Sequence, residues 1–350
     1  VTLAPPQPLD AVAYALRRLA DGASLNTDEA ADAFGAIMRG EATPVQISAL
    51  LMGLRTKGES AEEVAGAARA LRVAMVQLEV ADRHALVDTC GTGGGAVGTL
   101  NVSTAAAFVV AGAGVPVAKH GNRSFTSRSG SADVLEALGV DIGLAPERAA
   151  AVLRDVGLVF LFAPTYHPAM RHAAPARKEL AVPTIMNLLG PLANPAGVGR
   201  QVVGVADRGR APVVAEALRR LGATHALVVH AAIGMDEISP SGPTWIWEVR
   251  ADRVTEWTVD PAAVGMAVDD LSDLCGADPM ENARRIESLL CGDGAGSAAR
   301  SAVVLNAAAA LYVAGRGFEF EHAVREAEAT LARGAGAAAL MRLRAAAPRR

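Results

Sequence analysis

The chain has 350 residues, 51% hydrophobic and 20% charged, with a net charge of −4. That length suits two domains around a large core, and the composition excludes disorder as the expected state. The acidic balance excludes a broad basic field for nucleic acid, so an anionic ligand must draw positive charge from a few local residues. Residues 1–8 lack a charged start and a long apolar run, so no secretory leader is expected there. Apolar runs such as 105–114 are short and interrupted by Gly, which speaks against a membrane span. Cys90, Cys275 and Cys291 show no CxxC spacing, and reduced thiols in a cytoplasmic protein are expected.

The first elements are helices. Apolar residues recur at three- and four-residue spacing over 9–20, 27–39, 44–57 and 61–75. Thr27, followed by Asp28 and Glu29, reads as a cap with first-turn acids, and Thr43-Pro44 marks another helix start. These segments predict a small helical domain over residues 1–80, joined by a segment near 178–196. From residue 81 to 350 the rhythm is that of a larger α/β domain. Strand-length apolar runs at 86–90, 116–119, 158–162, 201–206 and 226–230 alternate with helical runs at 103–112, 131–138, 146–155 and 211–221. Such alternation predicts a mostly parallel central sheet covered by helices. Residues 245–249 and 253–259 read as an antiparallel pair, the C-terminal third returns to helices, and the basic end at Arg349-Arg350 reads as frayed.

Chemistry concentrates between residues 86 and 138. The run DTCGTGGG (88–95) places Gly91, Gly93, Gly94 and Gly95 directly after a strand, where freed backbone N–H groups cradle phosphate. No Lys-Ser/Thr pair follows, so this is not the nucleotide P-loop, and alone it reads equally as a tight turn. Asn101, Ser103 and Thr104 open the next helix, whose N-terminus suits an anion; ordinary capping accounts for one of them only. Lys119, His120, Asn122 and Arg123 end a strand and lead into Thr126, Ser127, Ser129 and Ser131. Lys119 is placed there to neutralise phosphate, and Ser131 also reads as a helix cap. Asp236-Glu237, past the strand ending at His230, offers adjacent carboxylates for Mg²⁺; alone such a pair is usually a solvated turn. His167 and His172 stand five apart, a poor metal pair on a helix. Arg177 offers a guanidinium fork for a carboxylate, or an ordinary surface ion pair.

Seven motifs in order, GTGG, NVST, KHGNR, SGSAD, YHPAM, NLLGPLANP and GMDEIS, resemble the anthranilate phosphoribosyltransferase family over most of the chain. The resemblance implies a phosphorylase/phosphoribosyltransferase-like fold and a homodimer formed through the helical domain. It implies a cytoplasmic enzyme that moves phosphoribosyl from phosphoribosyl pyrophosphate to the amine of anthranilate, with Mg²⁺, in tryptophan biosynthesis. Gly91 would touch both substrates. Gly94, Gly95 and Thr99 would surround the diphosphate, and Asn101, Val102, Ser103 and Thr104 would contact ribose and diphosphate. Lys119, His120, Gly121, Asn122, Arg123, Ser124, Phe125, Thr126 and Ser127 would form the next phosphate segment, with Ser131 after it. Asn122, His167 and Arg177 would meet anthranilate, and Ser103, Asp236 and Glu237 would hold the metal. Lys119, His120 and Arg177 are the catalytic candidates. One departure stands out: the family loop reads GTGGDG, whereas this chain has Gly95 and Ala96 at its last two places. A pyrimidine nucleoside phosphorylase is the rival within the fold. A nucleic-acid-binding homologue is the rival outside it, disfavoured by the acidic charge and the mere three Trp and three Tyr.

Overall fold

The computed structural model describes residues 10–124, 128–317 and 319–349. Four helices come first: α1 (Ala11–Ala20), α2 (Thr27–Met38), α3 (Pro44–Lys57) and α4 (Ala61–Ala74). Then follow β1 (Val87–Gly91), α5 (Val102–Gly112), β2 (Val117–Gly121), α6 (Ser131–Ala137), α7 (Pro146–Val156) and β3 (Leu158–Phe162). Three short helices, α8 (Ala163–Tyr166), α9 (Ala174–Leu180) and α10 (Met186–Leu192), lead to β4 (Arg200–Gly204), α11 (Ala211–Arg220) and β5 (His225–Ala231). The chain continues with β6 (Thr244–Arg250), β7 (Arg253–Val259), α12 (Pro279–Leu290), α13 (Ala298–Val313), α14 (Phe320–Ala332) and α15 (Ala335–Ala346). It divides into two compact units: the chain up to Met75 with His167–Ala193, and Val76–Tyr166 with Asn194 onward.

The helical unit is built on reciprocal caps. Asn26, not Thr27, caps α2: its Oδ1 accepts from the N–H groups of Asp28 and Glu29, and Glu29 returns a bond to the Asn26 N–H. Thr27 is therefore the first helical residue, because the amide of Asn26 reaches both orphan donors at once. Thr43 with Gln46 and Ser60 with Glu63 repeat the device on α3 and α4. Phe34, Ile37, Leu50, Leu51, Leu54 and Leu71 fill the interior. A Cβ on Gly66 would fall 2.4 Å from the Thr27 carbonyl, so only glycine lets α2 and α4 approach this closely.

The second unit holds a seven-stranded sheet in the order β3-β2-β1-β4-β5-β6-β7. The first five strands run parallel, and β6 and β7 are antiparallel. The chain moves outward through β1, β2 and β3, then returns to the other side of β1 with β4. This reversal makes the carboxyl ends of β1 and β4 a topological switch point, where ligands bind in such sheets. Helices α5 and α13 are predominantly apolar and buried along almost their whole length, as befits the centre of a core. Gly130, not Ser131, holds the cap position of α6, since Asp133 Oδ2 takes the Gly130 N–H at 2.9 Å. The C-terminal end is tied down rather than frayed as far as Arg349, whose N–H and Nη1 donate to the carbonyls of Gly139 and Glu136; Arg350 lies outside the described residues. Among the described residues no helix is long and apolar enough to cross a membrane.

At the far end of the sheet the Glu248 carboxylate closes a polar cluster. It accepts from Arg250 Nε at 2.5 Å, Trp257 Nε1 at 2.9 Å and Tyr312 OH at 3.2 Å, and lies 2.8 Å from His225 Nε2. Burial alone would raise its pKa, but the bonds from His225 and Arg250 outweigh that and hold it at about 2, against an ordinary 4.5. A carboxyl with a depressed folded pKa stabilises above its unfolded value and loses that contribution as pH falls through the folded one. The gap is worth on the order of 3 kcal/mol. Calorimetry should therefore find the Tm deficit of Glu248→Gln widest near neutral pH and narrowing as pH falls from about 5 toward 2. A deficit independent of pH would refute the assignment.

Candidate active site

The glycine loop leaves β1 at the switch point and folds onto the Asp236-Glu237 segment. Thr92 N–H donates to Gly204 O at 2.8 Å and Ala96 N–H to Gly234 O at 2.9 Å. The Gly93 N–H turns toward the Asp236 carboxylate. Gly93 and Gly94 hold φ values of 68° and 83°, which a side chain would strain. Contact is closest at β4, where a Cβ on Gly204 would lie 1.6 Å from the Asp236 carbonyl. Position 95 is also tight: a Cβ there would meet Asp236 Oδ1 at 2.7 Å, so Gly95 lets the loop sit against the acid.

The helix terminus expected to take an anion does hold one, a carboxylate of the chain itself. Ser103 N–H, in the first turn of α5, donates to Glu237 Oε1 at 3.0 Å, and Thr99 Oγ1 donates to Oε2 at 2.8 Å. Asn101 stands at the cap position with φ 66° but makes no side-chain cap. Its amide instead bridges two segments, donating to Ser129 O and accepting from Asn282 Nδ2, each at 3.0 Å. Asn306 clamps the acidic segment from behind, through the N–H and carbonyl of Ile238.

Lys119 is 3% exposed, and its ammonium lies inside the sheet edge. It donates to the Thr89 carbonyl and, at 3.3 Å, to Ser103 Oγ. Beneath it Asp88, fully buried, accepts from His120 N–H at 3.2 Å and Asn194 Nδ2 at 2.8 Å. Burial pushes the Asp88 carboxyl up and the Lys119 ammonium down, and the charge of each opposes the other's shift. Asp236 and Glu237 are also raised, by burial first and, for Glu237, by the neighbouring Asp236.

In the next segment Arg123 is held by acids: Nη1 lies 2.9 Å from Asp133 Oδ1 and 2.6 Å from Glu136 Oε2. Its guanidinium also sits 5.6 Å from the Phe162 ring centroid. Asn122 Oδ1 accepts from Arg123 N–H, Ser124 N–H donates to Asp133, and Ser131 Oγ donates to Asn122 O. A Cβ on Gly121 would fall 2.3 Å from Ser131 Oγ. Val102 and Thr104 are buried in α5. Phe125, Thr126 and Ser127 lie outside the described residues.

Two candidates belong to the helical unit. Arg177, on α9, is partly buried, and among the described residues no carboxylate pairs with it, so the surface ion pair is not what the structure has. His167 is 6% exposed, and burial pulls its imidazole down to about 4 against the bond to the Ala193 backbone.

Lys119, Ser103, Thr99, Asp236 and Glu237 are thus brought together around the glycine loop. Asp88, Asn194, Asn282 and Asn306 support them and were not among the expected residues. Asp88 and Asn194 lie inside the quoted motifs DTCGTGGG and NLLGPLANP, so that signal was present. Asn282 and Asn306 carry none. Among the described residues no group of three or more His, Cys, Asp or Glu is arranged for a metal. The donor set is two adjacent buried carboxylates and a hydroxyl, all oxygen. That fits a hard divalent cation.

Residues 13–75 match the helical bundle domain of a glycosyl transferase family, and residues 83–337 match its a/b domain. The anthranilate phosphoribosyltransferase of Rubrobacter xylanophilus is 51% identical over 94% of this chain and 95% of its own length. The crystal structure of the enzyme of that name from Thermus thermophilus superposes with a TM-score of 0.90 at 43% identity, covering 97% of this chain and 99% of the other. The Saccharomyces cerevisiae enzyme in complex with PRPP and Mg gives 0.87 at 27% identity, covering 96% and 97%. With both units matched and the relatives spanned almost end to end, the chain belongs to the anthranilate phosphoribosyltransferase family.

Proposed function

We propose that the chain transfers the phosphoribosyl group of phosphoribosyl pyrophosphate to the amine of anthranilate, releasing pyrophosphate, in tryptophan biosynthesis. The observation that carries this reading is the glycine loop at the switch point, folded onto the Asp236-Glu237 pair, in a chain 51% identical to a curated relative of that activity. We further propose a cytoplasmic homodimer formed through the helical unit.

The chemistry follows from charge. Breaking the anomeric C–O bond leaves an oxocarbenium-like ribose and a departing diphosphate that gains negative charge. Stabilisation is needed at the leaving group. Backbone N–H groups around Gly91, Gly94, Gly95 and Thr99 and the segment Asn101–Thr104 are assigned to ribose and diphosphate. Lys119, His120, Gly121, Asn122, Arg123, Ser124 and Ser131 are assigned to phosphate, as are Phe125, Thr126 and Ser127. Ser103, Asp236 and Glu237 would hold Mg²⁺, which when bound supplies Lewis-acid charge to phosphate oxygens. Anthranilate's aromatic amine is neutral at pH 7, so positioning matters more than a strong base. Arg177 is assigned to its carboxylate, with Asn122, His167 and Gly91 setting the ring.

The direct test is the mixture of anthranilate, phosphoribosyl pyrophosphate and Mg²⁺. Loss of anthranilate fluorescence with stoichiometric pyrophosphate release is expected. Retardation of single-stranded DNA without turnover would overturn the reading. Removing a charge-assisted fork costs about 1.5–3 kcal/mol, so Arg177→Ala should raise the anthranilate KM by about 10- to 100-fold. The KM for phosphoribosyl pyrophosphate should stay close to wild type, and unchanged anthranilate kinetics would sink the clamp. Asp236→Asn with Glu237→Gln keeps shape and removes both charges. Activity should fall by about two orders of magnitude or more and no longer saturate at the wild-type Mg²⁺ concentration. A normal Mg²⁺ titration would exclude the pair as the metal site.

A further inference from the structure

The parallel ladder between β1 and β2 stops almost as soon as it starts. Among the described residues the two strands pair at one position, Val87↔Val117, where Val87 N–H meets Pro116 O at 3.0 Å. The neighbouring pairings are complete: β1 with β4 through five positions, from Val87↔Arg200 to Gly91↔Gly204, and β2 with β3 through five, from Val117↔Leu158 to Gly121↔Phe162. So neither strand is irregular in itself; only the ladder between them is interrupted.

Side chains take over the bonds a ladder would have made. The Thr89 carbonyl of β1 receives Lys119 Nζ. His120 N–H of β2 goes to Asp88 Oδ1 at 3.2 Å. The Ala118 carbonyl of β2 receives Asn194 Nδ2 at 2.8 Å, and the same nitrogen donates to Asp88 Oδ2 at 2.8 Å. Asn194 is itself fixed by Ala196 N–H on its Oδ1 at 2.9 Å. Asp88 is 0% and Asn194 5% exposed, so no solvent supports the seam; the side chains satisfy the backbone where the strands part. The strands that part are the two whose ends carry the glycine loop and the Gly121–Arg123 segment.

We infer that Asp88 and Asn194 are positioning residues for the sugar-diphosphate subsite, a side-chain spacer that takes the place of the ladder between β1 and β2 and seats Lys119 against Ser103. The inference deepens the proposed function and rests on it for the identity of the ligand. Neither residue touches the reacting atoms. Their contribution is the alignment of the two strand ends and the place of the ammonium.

Asn194→Ala removes both donor bonds. The expected result is a KM for phosphoribosyl pyrophosphate raised about ten-fold and an anthranilate KM within about two-fold of wild type, measured on protein shown folded by circular dichroism. A merely structural Asn194 would lower Tm and leave both KM values of the folded enzyme alone, and that result would overturn the spacer. Asn194→Asp sets carboxylate against carboxylate and should cost about 100-fold in kcat/KM for the sugar donor. The swap Asp88→Asn with Asn194→Asp restores an amide-carboxylate pair and should recover about ten-fold of that loss; no recovery would count against the spacer. Were Asn194→Ala to arrive unfolded, Asn194→Ser, which keeps one donor, takes the same measurements and is read the same way. Inorganic pyrophosphate with Mg²⁺, titrated by calorimetry, separates the two levels. Should wild type bind it without turning over anthranilate, and Asn194→Ala bind it about ten-fold more weakly, the functional reading falls and the spacer stands. Equal pyrophosphate affinity in both proteins overturns the spacer whatever the turnover.

Discussion

The site depends on one interaction, the reach of Glu237 to the first turn of α5. Ser103 N–H and Thr99 Oγ1 each hold one of its oxygens, and through them the acidic segment, the glycine loop and the helix terminus are locked together. A helix N-terminus carries about half a positive charge and several unpaired N–H groups. Giving one of them to a carboxylate orders the acidic segment against the helix. Asp236 follows directly in this geometry, because the loop carbonyl of Gly234 and the backbone of Gly204 fix the main chain around it. The result is a pair of carboxyl groups fixed in place by the protein itself, and pre-organisation of that kind lowers the ordering cost of binding.

Cations in the site are similarly spoken for. Lys119 serves Thr89 and Ser103, and Arg123 serves Asp133 and Glu136. With a net charge of −4, the chain has no general attraction for polyanions. Positive charge is stored locally against carboxylates, where it stays ordered. An incoming diphosphate would then compete with an internal acceptor at Ser103 and with an ion pair at Arg123.

Much of the fold is legible in the sequence because its signals are local. The four N-terminal helices, the β/α alternation and the antiparallel pair at 245–259 all follow from apolar spacing and glycine punctuation. The departures are local too. Thr27 reads as the cap because the sequence shows a hydroxyl before two acids, whereas the Asn26 amide reaches two donors at once. Arg349 reads as frayed because a basic end has no visible partner, and its partners, Gly139 and Glu136, lie some two hundred positions away. At the site, residue types are readable and their directions are not. Nothing in KHGNR says that the lysine turns inward to a strand carbonyl while the arginine turns outward to α6.

That difference in direction explains why the supporting asparagines escape a sequence reading. A residue that binds ligand sits in a motif dense with Gly, Ser and Thr, and its type announces a chemistry. Asn194, Asn282 and Asn306 do their work on protein backbone, on a buried carboxylate or on another asparagine: Ala118 O and Asp88 Oδ2 for the first, Asn101 Oδ1 for the second, both polar groups of Ile238 for the third. Each is 5% exposed or less. A buried amide must satisfy donor and acceptor together, so it goes where chain elements leave one of each unpaired, and only the assembled sheet creates such places. The same requirement makes these residues intolerant of a carboxylate, which cannot donate. The polar backbone that the assembled sheet leaves unpaired is thus satisfied by amides placed behind the glycine loop and the acidic segment.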